Sequence, residues 1–319
     1  MRPCWTFCVL LFTSIRGIAQ TPPPTAPPPP SKMFAPYIDM GKPTNNLAQV
    51  MATSGIKNFT LAFIQSEGCV PTWVPSIRVA DEAMFSKYIE QVRAAGGDVI
   101  VAFGGYDGTD LGQACTDPVS LQAAYQVVID KYKAKILDFD VEHLAIEDQA
   151  SIDRRNIALK ALAAANPGLQ INYTLPATPQ GLTRESMNVI TSAGKYGTPV
   201  TIVNLMTMDY GVPVPTGAMG VDSVSALGAA WCQIKSAGLN ARLGVTPMIG
   251  TNDTVTETFT LADAQTLLAY AQANPNMVGL ITFWSVGRDN GGCTAVVSPT
   301  CSGIQQKSWD FSHIFAAFQ

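Results

Sequence analysis

Eight short apolar segments, separated by longer helical patterns, constrain the fold of this chain more than any other feature. The candidate strands span residues 34–39, 59–64, 99–103, 136–142, 169–175, 201–208, 242–248 and 278–284. Between them, apolar residues recur at the 3.6-residue helical spacing over 46–53, 81–95, 121–132, 150–165, 183–193, 223–237 and 261–273. An open sheet needs only about six strands, so this alternation predicts an α/β chain folded as a single (β/α)8 TIM barrel without a large insertion domain. Any active site then belongs at the carboxyl ends of the strands.

Composition narrows the chemistry that such a fold can carry. Charged residues make up 14% of the chain and the formal net charge is −4. No basic stripe is visible, so we expect no nucleic-acid partner. The chain contains only two histidines, His143 and His313, which nearly excludes histidine-rich zinc sites and Ser-His-Asp triads. Chemistry must therefore rest on carboxylates, aromatic rings or cysteines.

The N-terminal residues 1–19 have the pattern of a secretory signal peptide. A positive charge at Arg2 precedes an apolar run over 5–15, and small residues lead to a cleavage point after Ala19. The apolar run is too short to cross a hydrocarbon core, which needs roughly 20 residues. We therefore expect a secreted, extracellular protein with no membrane partner.

A proline-rich segment follows at residues 20–32. Seven of the ten residues at 21–30 are proline, which favours an extended polyproline II conformation and excludes a packed element. We interpret this segment as a stiff linker, with attachment to a cell wall or a partner as the alternative. The remaining residues, 33–319, form one compositionally even block with the size of a single large α/β domain.

Five cysteines remain after the proposed leader, namely Cys69, Cys115, Cys232, Cys293 and Cys301. An odd number leaves at least one thiol outside intramolecular disulfides. We favour the pairs Cys293–Cys301 and Cys69–Cys115, the second because both residues follow neighbouring strands of the predicted barrel. Cys232 lies in a helical pattern and is interpreted as a buried free thiol.

The fourth candidate strand carries three carboxylates in strict alternation with apolar residues. Because side chains two apart in a strand share a face, Asp138, Asp140 and Glu142 should point into the barrel while the apolar residues face the helices. Burying three like charges is prohibitive unless they share protons, form pairs or stand at an open mouth. The alternative is a half-exposed edge strand with solvated acids, which a parallel barrel disfavours because its strands have no solvent face.

The segment 138–142 resembles the end of the D-x-x-D-x-D-x-E signature of glycoside hydrolase family 18, the chitinases and related endo-N-acetylglucosaminidases. Ala-Phe-Gly-Gly at 102–105 is similar to the family's S-x-G-G motif on the third strand. Met-Thr-Met-Asp-Tyr at 206–210 resembles its M-x-Y-D motif on the sixth strand, and Trp284 ends the eighth strand, where the family keeps a sugar platform. The resemblance covers essentially all of 33–319 and is closest to the short bacterial-type chitinases.

Several positions depart from that pattern. Lys135 stands at the leading aspartate of the signature, and Ala102 replaces the serine of the third-strand motif. Met208 occupies a position where the family often has a tyrosine that contacts the acetamido group, a role that Tyr210 or Tyr173 could take. His143 follows Glu142 where short members often have glycine, and it either begins the next loop or tunes the neighbouring acid.

The resemblance implies a retaining mechanism in which the substrate's own acetamido group is the nucleophile. Glu142 would be the general acid and base, and Asp140 would orient the acetamido group. Asp138 would share a proton with Asp140, because two such close carboxylates do not both ionise comfortably. Asp209 would hydrogen-bond the distorted sugar, and no metal or organic cofactor is required.

Further residues are expected to bind the sugar. Trp284 is predicted to form the floor of the sugar site, and Tyr37 and Phe63 lie near the ends of the first two strands, where they could line the cleft. Only about ten residues, 250–259, separate the seventh strand from its helix. This segment is too short for the inserted domain of larger chitinases and implies an open groove.

The function predicted from these features is that of a secreted, endo-acting chitinase, a monomer that hydrolyses β-1,4-linked N-acetylglucosamine polymers or oligosaccharides. Two alternatives remain open. The first is a non-catalytic carbohydrate-binding or inhibitor protein on the same fold, against which the retention of Glu142 argues. The second is an endo-β-N-acetylglucosaminidase that acts on N-glycans.

Overall fold

The computed structural model describes residues 32–42, 47–73, 76–215, 217–254 and 256–318. The proposed signal peptide and all of the proposed linker except Lys32 lie outside these described residues. No helix in the described part of the chain combines the length and apolarity that a membrane crossing requires.

Strands and helices alternate along the described chain. The strands are β1 (Met33–Phe34), β2 (Tyr37–Asp39), β3 (Phe59–Glu67), β4 (Val70–Trp73), β5 (Ile77–Arg78), β6 (Val99–Gly104), β7 (Ile136–Asp140), β8 (Gln170–Thr178), β9 (Gly181–Leu182), β10 (Val200–Met206), β11 (Arg242–Thr246), β12 (Gly250–Thr251), β13 (Thr258–Phe259) and β14 (Val278–Ile281). The α-helices are α1 (Leu47–Ser54), α2 (Met84–Ala94), α3 (Leu111–Ala114), α4 (Pro118–Tyr132), α5 (His143–Glu147), α6 (Gln149–Ala165), α7 (Arg184–Tyr196), α8 (Met219–Ser236), α9 (Leu261–Ala273) and α10 (Asp310–Phe315). Two short 3-10 helices span Val286–Arg288 and Ala316–Phe318.

The strands form a mixed sheet with a parallel centre. Strand β7 pairs in parallel with β6 and β8, and the parallel order continues through β10, β11 and β14 on one side and through β3 on the other. Strand β1 pairs with β14, and β2 pairs with β3. The α/β class predicted from the alternating pattern is confirmed, and each of the eight predicted segments contains a strand.

The structure also contains short antiparallel additions that the apolar pattern does not predict. Strands β4 and β5 extend β3 as a meander, β9 folds back on β8, and β12 pairs with β13. These strands have two to four residues each, too few for a periodic pattern to emerge. All of them follow the carboxyl ends of parallel strands, so they enlarge the edge at which a site is expected.

The alternation along β7 is present in three dimensions. Phe139 stacks on Phe103 with ring centroids 5.1 Å apart and also contacts Tyr125 and Tyr173, within the main hydrophobic core. Asp138 points to the opposite face, where it contacts Tyr37. Because β7 has a neighbour on each side, the alternative of a solvated edge strand is wrong.

Both predicted disulfides are present. Cys69, in the turn between β3 and β4, pairs with Cys115 at the C-terminus of α3, with a Cα–Cα distance of 4.7 Å. Cys293 and Cys301 pair at 5.8 Å. The prediction that Cys232 is buried is wrong, because its side chain is exposed.

The exposure of Cys232 follows from the helical period. The buried face of α8 includes Leu227, Ala230 and Ile234, which recur at intervals of three and four residues. Cys232 lies midway between the last two, so it projects from the opposite side of the helix. It belongs to neither of the two disulfides.

A buried ion pair fixes the loop after β6 to the helical layer. Asp110, the N-cap of α3, accepts hydrogen bonds from the backbone N–H of Gly112 at 2.6 Å and from the guanidinium of Arg155 on α6 at 2.5 Å. Arg155 is fully buried. The buried guanidinium is compensated by an equally buried carboxylate through its Nη2 atom.

We expect Asp110→Ala to lower the free energy of unfolding by about 3 to 5 kcal/mol, because it leaves the Arg155 guanidinium buried without its carboxylate. Asp117→Ala is the control, since Asp117 also caps a helix but is exposed. Urea denaturation of both variants makes the comparison. A loss for Asp110→Ala no larger than that for Asp117→Ala would contradict a structural role for the pair.

Candidate active site

A cavity of about 920 Å³ opens at the carboxyl ends of the parallel strands. Its lining residues lie in or shortly after β2, β3, β6, β7, β8, β10, β11 and β14, so most of the sheet contributes to it. The lining consists of Tyr37, Phe63, Tyr106, Asp107, Asp140, Glu142, Thr174, Pro176, Ala177, Thr178, Thr183, Met206, Met208, Asp209, Tyr210, Thr246, Met248, Asp253, Thr254 and Trp284. A cavity of this size has room for a ligand of several rings.

Three aromatic rings form one wall of the cavity. Phe63 and Trp284 are stacked, with centroids 5.8 Å apart and an interplanar angle of 13°. Tyr37 lies 5.9 Å from Phe63 and 6.0 Å from Trp284. Phe63 and Trp284 are half-buried, so they offer ring surface to a ligand, whereas Tyr37 is buried beneath them.

Asp138 lies below the cavity and is fully hydrogen-bonded. Its Oδ2 accepts from the Tyr37 hydroxyl at 2.7 Å, and its Oδ1 accepts from the Thr174 hydroxyl at 2.8 Å. Asn204 in turn donates to the Thr174 hydroxyl oxygen at 2.9 Å. Burial raises the pKa of Asp138 to about 6, although the hydrogen bonds from Tyr37 and Thr174 act in the opposite direction.

Asp140 is the carboxylate whose oxygen is left without support. It is 5% exposed, and its Oδ1 has no hydrogen-bond partner among the described residues. Burial raises the pKa of Asp140 well above its usual range, and the charges of Glu142 and Asp138 raise it further. The expected proton sharing between Asp138 and Asp140 stays a prediction, because the hydrogen bonds of Asp138 go to Tyr37 and Thr174.

Glu142 lines the cavity at the N-terminus of α5. Burial raises the pKa of Glu142 to about 7, and the carboxylates of Asp107 and Asp209 add to the effect. A glutamate with this pKa carries a proton over part of the neutral range and can release it. The three acids therefore differ in their surroundings: Asp138 is buried and hydrogen-bonded, Asp140 has an unpartnered oxygen, and Glu142 lines the cavity with a raised pKa.

The ends of β6 and β7 approach each other closely at Gly104. Gly104 has φ of +90°, and a Cβ at this position would collide with the carbonyl oxygen of Asp140. The N–H of Gly105 donates to the same carbonyl at 3.2 Å. Glycine is thus required here both by the backbone angle and by the short distance to the strand that carries the acids.

The loop after β10 brings Asp209 to the cavity. Asp209 has φ of +49°, and its Oδ1 accepts from the backbone N–H of Thr254 at 2.7 Å. Burial raises the pKa of Asp209, and the nearby Asp253 raises it further, while the N–H of Thr254 lowers it. The side chain is half-buried and lines the cavity.

The structure places most of the predicted site residues together. Those in or directly beneath the cavity are Tyr37, Phe63, Asp138, Asp140, Glu142, Met208, Asp209, Tyr210 and Trp284. Tyr210 also packs against the hydrophobic core, and its buried hydroxyl oxygen has no hydrogen-bond partner among the described residues.

The prediction that Tyr173 contacts the ligand is wrong. Its side chain is fully buried on the outer face of the sheet, where its hydroxyl donates to Asn156 at 2.8 Å. The next residue, Thr174, has the opposite orientation and contacts Asp138. Thr174 and Asn204 are functional candidates that the sequence analysis missed, although strand parity relative to the apolar residues of β8 could have indicated Thr174.

The departures from the expected motifs have local explanations. Lys135 pairs with Asp98 at 2.8 Å at the start of β7, at the opposite end of the strand from the cavity. Ala102 is fully buried against Tyr37, and the hydroxyl groups that reach Asp138 come from Tyr37 and Thr174 instead.

His143 has a contact that the sequence analysis did not anticipate. It is exposed, has φ of +49°, and its ring stacks on that of Tyr106 at 4.7 Å between centroids. Tyr106 lines the cavity, so the stack links the loops after β6 and β7 at the rim. Separately, the described residues include no group of three or more His, Cys, Asp or Glu side chains arranged to hold a metal ion.

Comparisons with known proteins identify chitinases as relatives of this chain. No family model matches the chain. The chain is 36% identical over 314 residues to the probable bifunctional chitinase/lysozyme of Escherichia coli (strain K12), covering 91% of this chain and 35% of that protein. It is 34% identical over 279 residues to Endochitinase 11 of Metarhizium anisopliae, covering 82% of this chain and 53% of that protein. The chain thus spans about a third to a half of the length of these relatives.

A solved structure matches over almost its whole length. The catalytic domain of a hyperthermophilic chitinase from Pyrococcus furiosus has 36% sequence identity and a TM-score of 0.81 to this chain. The match covers 93% of this chain and 97% of that domain. The similarity therefore extends over the sheet and over the edge that carries the cavity.

Because burial raises the pKa of Glu142 to about 7, we expect its carboxyl group to lose its proton only as the pH rises through about 7. The infrared C=O band of a protonated carboxyl group is measured in the parent protein and in Glu142→Gln. The part of the band that is absent in the variant belongs to Glu142 and not to the other buried acids. In Asp107→Asn, one like charge is removed, so the same band should vanish at lower pH. Loss of the band near the usual glutamate value of 4.5 would contradict the electrostatic description of the site.

Proposed function

The chain belongs to the chitinases of glycoside hydrolase family 18, and we propose that it hydrolyses β-1,4-linked N-acetylglucosamine polymers in an endo fashion, by a retaining, substrate-assisted mechanism. The observation that carries this proposal is the placement of Glu142, whose pKa burial raises to about 7, in one cavity with the buried and unpartnered carboxylate of Asp140. The first can deliver a proton, and the second has an oxygen free to receive an N–H group.

In the first step, Glu142 donates its proton to the glycosidic oxygen as the bond from that oxygen to the anomeric carbon breaks. The acetamido carbonyl oxygen of the same sugar forms a new bond to the anomeric carbon and gives a cyclic oxazolinium ion. Asp140 accepts the acetamido N–H through its unpartnered oxygen and places a negative charge beside the developing positive charge.

In the second step, the Glu142 carboxylate removes a proton from water, and the water oxygen bonds to the anomeric carbon. The bond from that carbon to the acetamido oxygen breaks, which restores the acetamido group. Each step inverts the anomeric centre, so the product retains the original configuration. Glu142 ends the cycle protonated and ready for another turnover.

Asp138 lies beneath Asp140 and can share a proton with it during this cycle. Its two donors, Tyr37 and Thr174, stabilise the ionised form, while burial favours the protonated form. These opposing effects keep its pKa close to neutral. A proton can therefore reside on either Asp138 or Asp140 as the charge on the substrate changes.

The aromatic wall supports the binding of a sugar ring. Trp284 and Phe63 present ring surface that can pack against the apolar C–H face of a pyranose. Asp209 lines the same cavity and can accept a hydrogen bond from the distorted sugar. Chitin or N-acetylglucosamine oligosaccharides are the ligands that these groups fit.

We also propose that the sheet closes into a (β/α)8 barrel through residues 33–39. This segment provides β1 beside β14 and β2 beside β3, and Ala35 donates to the carbonyl of Ile281 at 3.0 Å. On the far side of the same segment, Thr60 donates to the carbonyl of Pro36 at 3.0 Å.

Endo action is supported by the short connection after β11. Residues 250–259 form only the small β12–β13 hairpin within the described chain, too little to build an additional wall along the cavity. A groove without such a wall admits the middle of a polymer. Secretion, a monomeric state and the spacer role of 20–32 complete the proposal, and they rest on the sequence alone.

A catalytic role argues against the alternative of a non-catalytic binding protein. A protein that only binds sugar has no need of a glutamate that lines the cavity together with the unpartnered carboxylate of Asp140, as Glu142 does. Product analysis on chitin oligosaccharides beside a high-mannose glycopeptide separates chitinase from endo-β-N-acetylglucosaminidase activity.

Glu142→Gln should lower kcat by roughly 10² to 10⁴ while oligosaccharide binding persists, because it removes the proton donor and keeps the shape of the side chain. Glu147→Gln, an exposed glutamate on the same helix α5, is the matched control and should retain activity. Asp140→Asn should also lower kcat strongly, because it removes the negative charge beside the acetamido group. A substrate with a free amine at the cleaved sugar should bind and not react; its efficient cleavage, or a glycosyl ester trapped on Asp140, would refute substrate assistance.

Trp284→Ala should lower kcat/KM by about tenfold or more, because the stacked ring holds both the bound and the distorted sugar. Trp73→Phe is the control, since Trp73 is a fully buried tryptophan outside the cavity. We expect the control to lower the melting temperature with little change in kinetics. Unchanged kinetics for Trp284→Ala, with a large loss of stability, would show that this ring is only structural.

A further inference from the structure

We infer that Glu257 is a positioning residue that fixes the loop carrying Asp209 and thereby sets the direction in which Asp209 meets the substrate. This inference rests on the proposed function of Asp209. Glu257 lies in the connection between β12 and β13 and does not line the cavity itself. It therefore acts through another residue.

Glu257 holds the loop by a two-pronged contact. Its Oε2 accepts from the backbone N–H of Tyr210 and its Oε1 accepts from that of Gly211, each at 3.0 Å. These are the two residues that directly follow Asp209. An ionised carboxylate is an acceptor at both oxygens, so a pair of successive N–H groups matches it in number and direction.

The burial of Glu257 indicates that this contact is specific. The residue is fully buried, and a carboxylate at such a position is stable only with good hydrogen-bond partners. Burial raises the pKa of Glu257, and the hydrogen bonds from Tyr210 and Gly211 counteract that shift. The carboxylate thus gains the hydrogen bonds that its burial requires, and the two N–H groups gain an acceptor.

Asp209 needs support because its backbone is in the left-handed region, with φ of +49°. This conformation is uncommon for a non-glycine residue, although aspartate adopts it more readily than most, and surrounding contacts stabilise it. Glu257 supplies such contacts immediately C-terminal to Asp209. The N–H of Asp209 itself points to the Asn252 side-chain oxygen at 3.4 Å, a longer contact.

The hairpin that carries Glu257 is itself anchored. Asn252 is fully buried, and its side-chain amide donates to the carbonyl oxygens of Met248 and Gly250 at 2.9 and 3.0 Å. The N–H of Asn252 donates to the carbonyl of Glu257 at 3.0 Å. Through Thr254, the same hairpin donates to the Asp209 carboxylate, so the backbone and the side chain of Asp209 are both aligned by one element.

Glu257→Gln is the decisive variant, because it changes one acceptor oxygen into an N–H₂ group that faces a backbone N–H. We expect kcat on a chitin oligosaccharide to fall by about tenfold or more, with KM changing less. In a double-mutant cycle, Asp209→Asn combined with Glu257→Gln should lie within about threefold of Asp209→Asn alone, because both changes remove the same contact to the substrate.

Asp289→Asn is the matched control. Asp289 is another buried carboxylate that accepts two successive backbone N–H groups, those of Phe311 and Ser312, away from the cavity. We expect this variant to lower the melting temperature as much as Glu257→Gln does and to leave kcat within about threefold of the parent value. If Glu257→Gln does not fold, Glu257→Asp replaces it. We expect Glu257→Asp to lower kcat by less than the roughly tenfold expected for Glu257→Gln.

Three outcomes would contradict either the inference about Glu257 or the proposed role of Asp209. If Asp209→Asn lowers kcat but Glu257→Gln affects only the melting temperature, the inference is overturned and the proposed function stands. Fully multiplicative losses in the double variant would also overturn it, since they would show independent roles. If Asp209→Asn leaves kcat unchanged, the proposed role of Asp209 is wrong and the inference about Glu257 falls with it.

Discussion

Three like charges on alternating positions of one central strand create the electrostatic problem on which the rest of the site depends. Asp138, Asp140 and Glu142 share a face of β7, and burial raises the pKa of each. The surrounding residues treat them differently. Asp138 receives two hydroxyl donors, Asp140 has an unpartnered oxygen, and Glu142 lines the cavity, so three carboxyl groups on one face have three different environments.

Much of this arrangement could be predicted from the sequence, because the signals are periodic. The α/β alternation, the orientation of the acids and both disulfides follow from spacing along the chain and from the order of the strands. Trp284 and Asp209 follow from the resemblance of the sixth and eighth strand ends to family 18 motifs. Such features depend on local pattern and topology, which a single sequence carries.

The remaining features depend on contacts between distant segments and have no local signal. Thr174 reaches Asp138 from the next strand, and Glu257 holds a loop 46 residues away at Gly211. The error at Tyr173 has the same origin, because one residue of strand parity decides whether a side chain faces the cavity or Asn156. The expectation for Cys232 rests on its place in a helical pattern, whereas the period of α8 buries only one side of that helix.

The segment 33–39 has a consequence for where this domain can be cut or fused. It follows directly on the proline-rich stretch, yet it supplies β1, β2 and the hydroxyl of Tyr37 that contacts Asp138. A domain boundary set even a few residues too late would remove the strands that pair with β14 and β3, together with the Tyr37 hydroxyl. A tether attached at residue 32 would thus end only five residues before Tyr37, whose hydroxyl hydrogen-bonds the buried carboxylate of Asp138.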